Sequence, residues 1–91
     1  MFPVQNIASG VLAEIIRRQP ASRERTAFAW SVAVGPALAR VTTVEIRNDN
    51  LIVTARDARW ARELERARDT ILARVQMLLG KDAVKNLYIN A

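Results

Sequence analysis

A small α+β domain is the fold class this sequence predicts, and three observations predict it. Apolar residues recur at helical spacing in three separate stretches. Between the second and the third, apolar and polar residues alternate on both sides of Asp49-Asn50, as in a hairpin. A last short alternating run, Asn86 to Asn90, follows Gly80. Ninety-one residues suit one domain, residues 1–91, burying roughly 60–65% of its unfolded surface. With 51% hydrophobic residues, the chain is not a disordered tail.

Val4, Ile7, Val11 and Ile15, with Leu12 and Ile16 beside them, predict an amphipathic helix over roughly residues 4 to 18. Gly10 within it costs about 1 kcal/mol against alanine. Pro20 ends it, because the residue before a proline avoids the α region. Ser22 is a suitable N-cap for a second helix that puts Ala27, Trp30 and Val34 on one face, with Phe28 and Val32 adjacent. Gly35 stops that helix, and Pro36 suits the first position of a short further turn, Ala37 to Arg40.

The hairpin can be read in register. Asp49-Asn50 is taken as a two-residue turn, since Asn and Asp tolerate the positive φ such turns demand. Arg47 then faces Ile52, Ile46 faces Val53 and Val44 faces Ala55. One face collects Val44, Ile46, Leu51, Val53 and Ala55. The other collects Thr43, Glu45, Arg47, Ile52, Thr54 and Arg56. A one-residue slip would mix the two sets.

Asp57 is an N-cap for one long helix, about Ala58 to Leu79, with Trp60, Leu64, Ala67, Ile71, Val75 and Leu78 as its buried stripe. Gly80 is its C-cap. A polar joint, Lys81 to Lys85, leads to the strand Asn86 to Asn90, with Leu87 and Ile89 inward and Tyr88 outward. The order ααββαβ predicts a three-stranded sheet with helices packed on one face, a K-homology-like arrangement.

Composition narrows the function. There is no cysteine and no histidine, so no disulfide, zinc-thiolate site, Ser-His-Asp triad or Cys-His pair can be built. Glu63 and Asp69 do not share a helix face and make no acid/base pair. No cofactor or metal is expected, and the chain reads as a non-enzyme. Its longest uncharged run, Thr26 to Ala39, is short for a membrane span and is interrupted at Gly35-Pro36. No basic region precedes the first apolar residues, so no signal peptide is expected. A soluble cytoplasmic protein without a membrane partner is the expectation. Fourteen basic residues, twelve of them arginine, face nine acidic ones. The net charge of +5 favours a polyanion, most often nucleic acid. Arginine used only for solubility gives the same balance, so the placement of the charges decides.

The phrase Phe28-Ala29-Trp30 with Val34-Gly35-Pro36-Ala37-Leu38-Ala39 resembles the W-x-x-x-V-G-x-x-L-A pattern of one bacterial family. Thr42-Thr43 follows at the start of a strand, then Leu51-Ile52-Val53-Thr54-Ala55 and Trp60-Ala61-Arg62-Glu63-Leu64. A long helix, a glycine and Val84-Lys85-Asn86-Leu87-Tyr88-Ile89 complete the pattern. In order and spacing, over almost the whole chain, these resemble the DciA-like family of bacterial replicative helicase loaders. The resemblance implies a K-homology-like fold, a nucleoid-associated role in replication initiation, binding of single-stranded DNA, and contact with the hexameric replicative helicase. Two features depart from it. Many members carry a basic tail after this domain, whereas this sequence runs to Ala91. The G-x-x-G loop with which K-homology domains clamp a nucleic-acid backbone is absent.

From the residues themselves, Trp30 and Trp60 lie among apolar neighbours and read as core, and Gly35-Pro36 reads as a helix stop and restart. Arg59, Arg62 and Arg66 form one stripe on the last helix, with Arg56 just before it. A phosphate-tracking surface here is joined by Arg47 and Tyr88 on the outer sheet face, and by Lys85, with Lys81, at the edge of the last strand. Glu63, Glu65 and Asp69 can pair with the same arginines, so a solvated, salt-bridged helix face is the competing reading. Arg17 and Arg18 suit the C-terminal dipole of the first helix. Two alternative functions stand beside DNA binding. One is a K-homology-type RNA-binding module. The other is a protein-interaction adaptor using apolar surface near Phe2, Ile52 or Tyr88.

Overall fold

The computed structural model describes residues 9–91, so Phe2, Val4 and Ile7 lie outside the described residues. The helices are α1 (Ser9–Arg18), α2 (Arg23–Val34), α3 (Pro36–Arg40), α4 (Ala58–Arg66) and α5 (Arg68–Leu79). The strands are β1 (Thr42–Arg47), β2 (Asn50–Ala55) and β3 (Asn86–Asn90). They form a mixed sheet of order β1-β2-β3. The pair β1-β2 is antiparallel and β2-β3 parallel. This is the α+β fold expected, with the helical crossover α4–α5 returning the chain so that β3 runs alongside β2.

The sheet divides as the alternation predicts. Leu51, Val53, Ala55 and Leu87 are buried on one face, while Thr43, Arg47, Thr54 and Tyr88 are exposed on the other. The hairpin turn sits one residue earlier than expected. Asn48 and Asp49 carry φ of 49° and 67°, so they are the two turn residues, and Asn50 belongs to β2. Val44 therefore opposes Val53 and Ile46 opposes Leu51. Moving the turn by one residue moves every partner by two, which leaves both faces unchanged. It also spares Leu51 from facing Asn48, and that settles the choice between two Asx dipeptides.

The expected long helix is two. It breaks at Ala67 (φ −103°, ψ 10°), whose N–H is shared between Leu64 O and Glu65 O. Ala67, placed on the buried stripe by spacing alone, is exposed, whereas Leu64 and Ile71 on either side are buried. At the break, Arg68 Nε–H donates to Leu87 O at 3.0 Å and ties the start of α5 to β3. The packing face of α1 is also rotated from the expected stripe. Ala13 and Ile16 are buried against the rest of the core, while Val11 and Ile15 are 55% and 50% exposed. Here the small Ala13 meets the core together with Ile16. In α2 the buried residues are Thr26, Ala29, Trp30 and Ala33, again displaced from the expected Ala27 and Val34.

The caps fall where the sequence puts them. Ser22 Oγ accepts from Arg25 N–H at 3.0 Å and Asp57 Oδ1 from Trp60 N–H at 3.1 Å. Gly35, at φ 88°, makes the corner between α2 and α3 in a conformation that side-chain-bearing residues rarely adopt. Beneath that corner Trp30, only 3% exposed, donates its indole N–H to Thr42 Oγ1 at 2.8 Å. The Thr42 hydroxyl donates in turn to Leu38 O at 2.8 Å. Indole nitrogen is a donor only, so once buried it requires an acceptor; a hydroxyl can accept and pass a proton donation on. This relay joins α2, α3 and β1. Trp60 is half-buried against the same core.

Candidate nucleic-acid interface

The positive charges divide into those the fold consumes and those it leaves over. Four arginines donate to main-chain carbonyls: Arg17 to Met77, Arg25 to Gln19, Arg68 to Leu87 and Arg74 to Ala33. The Arg74 contact, at 3.2 Å, answers a carbonyl in the last turn of α2, where a cation also suits the helix dipole. Others sit in exposed ion pairs: Arg18–Glu14, Arg47–Glu45, Arg66–Glu63 and Lys85–Asp49. Such pairs add little stability, typically about 0.2–1 kcal/mol. Among the described residues, Arg40, Arg56, Arg59 and Arg62 carry neither an ion pair nor a side-chain hydrogen bond, as also do Arg23 and Lys81.

The expected site residues fall into three places. Leu64, Trp60 and Ala61 of α4 turn towards the core, so Arg59, Arg62 and Arg66, all exposed, project from the opposite side of that helix. They form a ridge about 10 Å long at 1.5 Å per residue. Of its possible internal partners, only Glu63 is engaged, with Arg66 at 3.4 Å. Asp69 pairs with Arg68 instead. Arg56 stands at the foot of this ridge, at the end of β2, its N–H held by Val41 O at 2.8 Å.

Tyr88 and Arg47 lie elsewhere, on the face of the sheet that the helices leave open. Strand register lays that face out in three rows. Arg47, Asn50 and Asn86 form the row beside the turn, Glu45, Ile52 and Tyr88 the middle row, and Thr43, Thr54 and Asn90 the far row. Tyr88 is 49% exposed beside half-buried Ile52, and Asn86 Nδ2–H donates to Asn50 Oδ1 at 3.3 Å. The face is close to neutral, because Arg47 pairs with Glu45 at 3.2 Å. Lys85 is at the turn end, its ammonium 3.8 Å from Asp49 and its N–H bonded to Asp49 O at 2.7 Å. The fold thus brings Arg59, Arg62 and Arg66 together on the outer side of α4 and groups Arg47, Lys85 and Tyr88 on the open sheet, with Arg56 at the end of β2 between them. The two sets are on opposite sides of the helix–sheet sandwich.

Spacing along the chain did not single out Arg40. It ends the five-residue α3, and the pairing of Thr42 with Ala55, continued by the bond from Arg56 N–H to Val41 O, brings it beside the end of β2.

The family model described as "Dna[CI] antecedent, DciA" matches residues 3–89. The chain belongs to the DciA family. DciA is associated with the replicative helicase in replication initiation. None of the curated proteins matches the chain. The residues that carry the DciA pattern are chiefly ones that build the core and its corners. Trp30, Gly35 and Thr42 make the α2–α3–β1 corner, and Leu51, Val53 and Leu64 are buried. Membership therefore speaks first for the fold and the helicase association, and the exposed arginines of this DciA chain are a separate observation. No helix among the described residues is long and apolar enough to cross a membrane.

Proposed function

We propose that residues 1–91 form a non-enzymatic module that binds single-stranded DNA and the hexameric replicative helicase during replication initiation. The helicase half of this reading rests on DciA family membership over residues 3–89. The DNA half rests on one observation, the ridge Arg56, Arg59, Arg62 and Arg66, three of whose guanidiniums have no ion pair among the described residues. Charges within about a Debye length, ~8 Å at physiological salt, act together on a polyanion. A strand laid along the ridge releases counterions as its phosphates are neutralised. The element order and mixed sheet support a K-homology-like reading. The helix–helix junction, Arg66-Ala67-Arg68-Asp69, holds no glycine, so a backbone clamp of the G-x-x-G kind is not part of this reading.

The test is the triple variant R59E/R62E/R66E. It is expected to lose most of its affinity for single-stranded oligonucleotides. Its slope of log K against log salt falls by about 2, at roughly 0.7 per phosphate contact. Unchanged affinity removes the ridge from the site and leaves family membership standing. Co-elution with the purified replicative helicase, with and without oligonucleotide, tests the other half; no complex in either condition overturns it.

A second reading, favoured by Tyr88 and the asparagines of the open sheet, is a K-homology-type RNA-binding module. There Tyr88 stacks a base while Asn50, Asn86 and Asn90 offer donors and acceptors to base edges, with Arg47 and Lys85 beside the turn. A clear preference for RNA over DNA of matched sequence, lost in Tyr88→Ala, selects it.

A further inference from the structure

We infer that the end of the sheet farthest from the hairpin turn holds a phosphate-binding notch, framed by Arg40 and Arg56 and floored by Thr43 and Thr54. The inference rests on the DNA-binding reading above and adds a site to it. The notch is a depression of about 320 Å³ lined by Arg40 at the end of α3, Arg56 just after β2, and the strand ends between them. Neither guanidinium has an ion pair or a hydrogen bond among the described residues, and no carboxylate lines the depression. The acids nearest in sequence are already engaged: Glu45 pairs with Arg47, and Asp57 caps α4 through Trp60 N–H.

The hydroxyls are available as well. Thr43 and Thr54 are direct cross-strand partners on the open face, both exposed, and neither side chain is hydrogen-bonded among the described residues. The neighbouring Thr42 differs, its hydroxyl being committed to Trp30 and Leu38. Both arginines spring from fixed backbone. Arg56 N–H is bonded to Val41 O at 2.8 Å and Val41 N–H to Leu38 O at 3.2 Å, so the two side chains share one braced loop. Two guanidiniums and two hydroxyls converging on one opening match the donor demand of a tetrahedral oxyanion, and guanidinium takes phosphate oxygens in pairs. The notch also adjoins both surfaces described above. Arg56 continues into the α4 ridge, and Thr43 and Thr54 form the far row of the open sheet. A phosphate held there sits where a strand crosses from one to the other.

The experiment titrates fluorescent oligothymidylate, with and without a 5′-phosphate, into the full chain and into R40Q, T43V/T54V and R59E/R62E/R66E. Thermal unfolding of each variant checks that these exposed substitutions leave the fold intact. R40Q is expected to bind about three- to tenfold more weakly, with a salt slope smaller by about 0.7, the value of one lost phosphate contact. T43V/T54V is expected to weaken binding without changing the slope, because it removes no charge. If the loss in R40Q appears only with the 5′-phosphorylated oligonucleotide, the ligand is a terminal phosphate monoester. An equal loss with both makes it an internal phosphodiester. Wild-type affinity in R40Q alongside lost affinity in the ridge variant overturns the notch and leaves the DNA-binding reading intact. No binding by the wild-type chain overturns both.

Discussion

Arginine does different work on the two sides of this molecule. Where α1, α2 and α5 pack together, Arg17 and Arg74 reach across helices to carbonyls on the neighbouring element, and Arg68 reaches from α5 to β3. Along the end of β2 and the outer side of α4, Arg56, Arg59 and Arg62 reach nothing among the described residues. A net charge of +5 does not distinguish these cases, since both kinds of residue count equally. The difference teaches that the functional charge of a small basic domain is what remains after the backbone has used its share. Of that remainder, Arg59 and Arg62 share the outer side of α4 and Arg40 and Arg56 line one depression, while Arg23 and Lys81 stand outside both.

Substitutions can break or sharpen this contrast. The largest expected effect is that of R59E/R62E/R66E, which abolishes most single-strand binding while shifting stability by no more than about 1.5 kcal/mol in all, at roughly 0.5 kcal/mol for each surface change away from buried features. Equilibrium urea unfolding measured beside the binding titration checks both halves. Next come Arg68→Ala and Arg74→Ala, each expected to cost about 1–2 kcal/mol, because each leaves a main-chain carbonyl without its charged donor. The folded fraction of either should bind oligonucleotide as the parent does; weaker binding would erase the division between the two sides. Trp30→Phe is a neutral counterpart, expected to cost about 1 kcal/mol through the broken relay to Thr42, read from the thermal midpoint. The smallest effect is that of Glu63→Gln. It frees Arg66 and removes a negative charge beside the ridge, so DNA affinity should rise slightly. Stability should change by less than about 0.5 kcal/mol, since only an exposed pair is lost.

What could be read from the sequence follows the same physics. The hairpin faces were legible because side chains alternate with period two, and a turn misplaced by one residue leaves that parity unchanged. The turn itself was not, because Asn48-Asp49 and Asp49-Asn50 are both Asx pairs and only the opposition of Ile46 and Leu51 separates them. Ser22, Asp57 and Gly35 announced the helix ends through their own chemistry. The break at Ala67 had no such sign, alanine being the strongest helix former, and it is a tertiary event at which Arg68 turns to Leu87. The face of α1 was misjudged because side-chain size was taken for burial, whereas close helix contact favours Ala13. The ridge of α4 followed from spacing alone. The notch did not, since Arg40 lies just outside β1 and its place beside Arg56 depends on the pairing of Thr42 with Ala55, which the misplaced turn shifted by two residues.

The two tryptophans have an optical consequence. Trp30 is sealed in the core with its N–H committed to Thr42, so its emission should be blue-shifted and should respond only when the fold opens. Trp60 is half-buried at the start of α4, one residue after Arg59, so its emission should be partly exposed to quenchers and should change when the ridge is occupied. A Trp30→Phe chain thus becomes a label-free sensor of ligand, and a Trp60→Phe chain a reporter of folding.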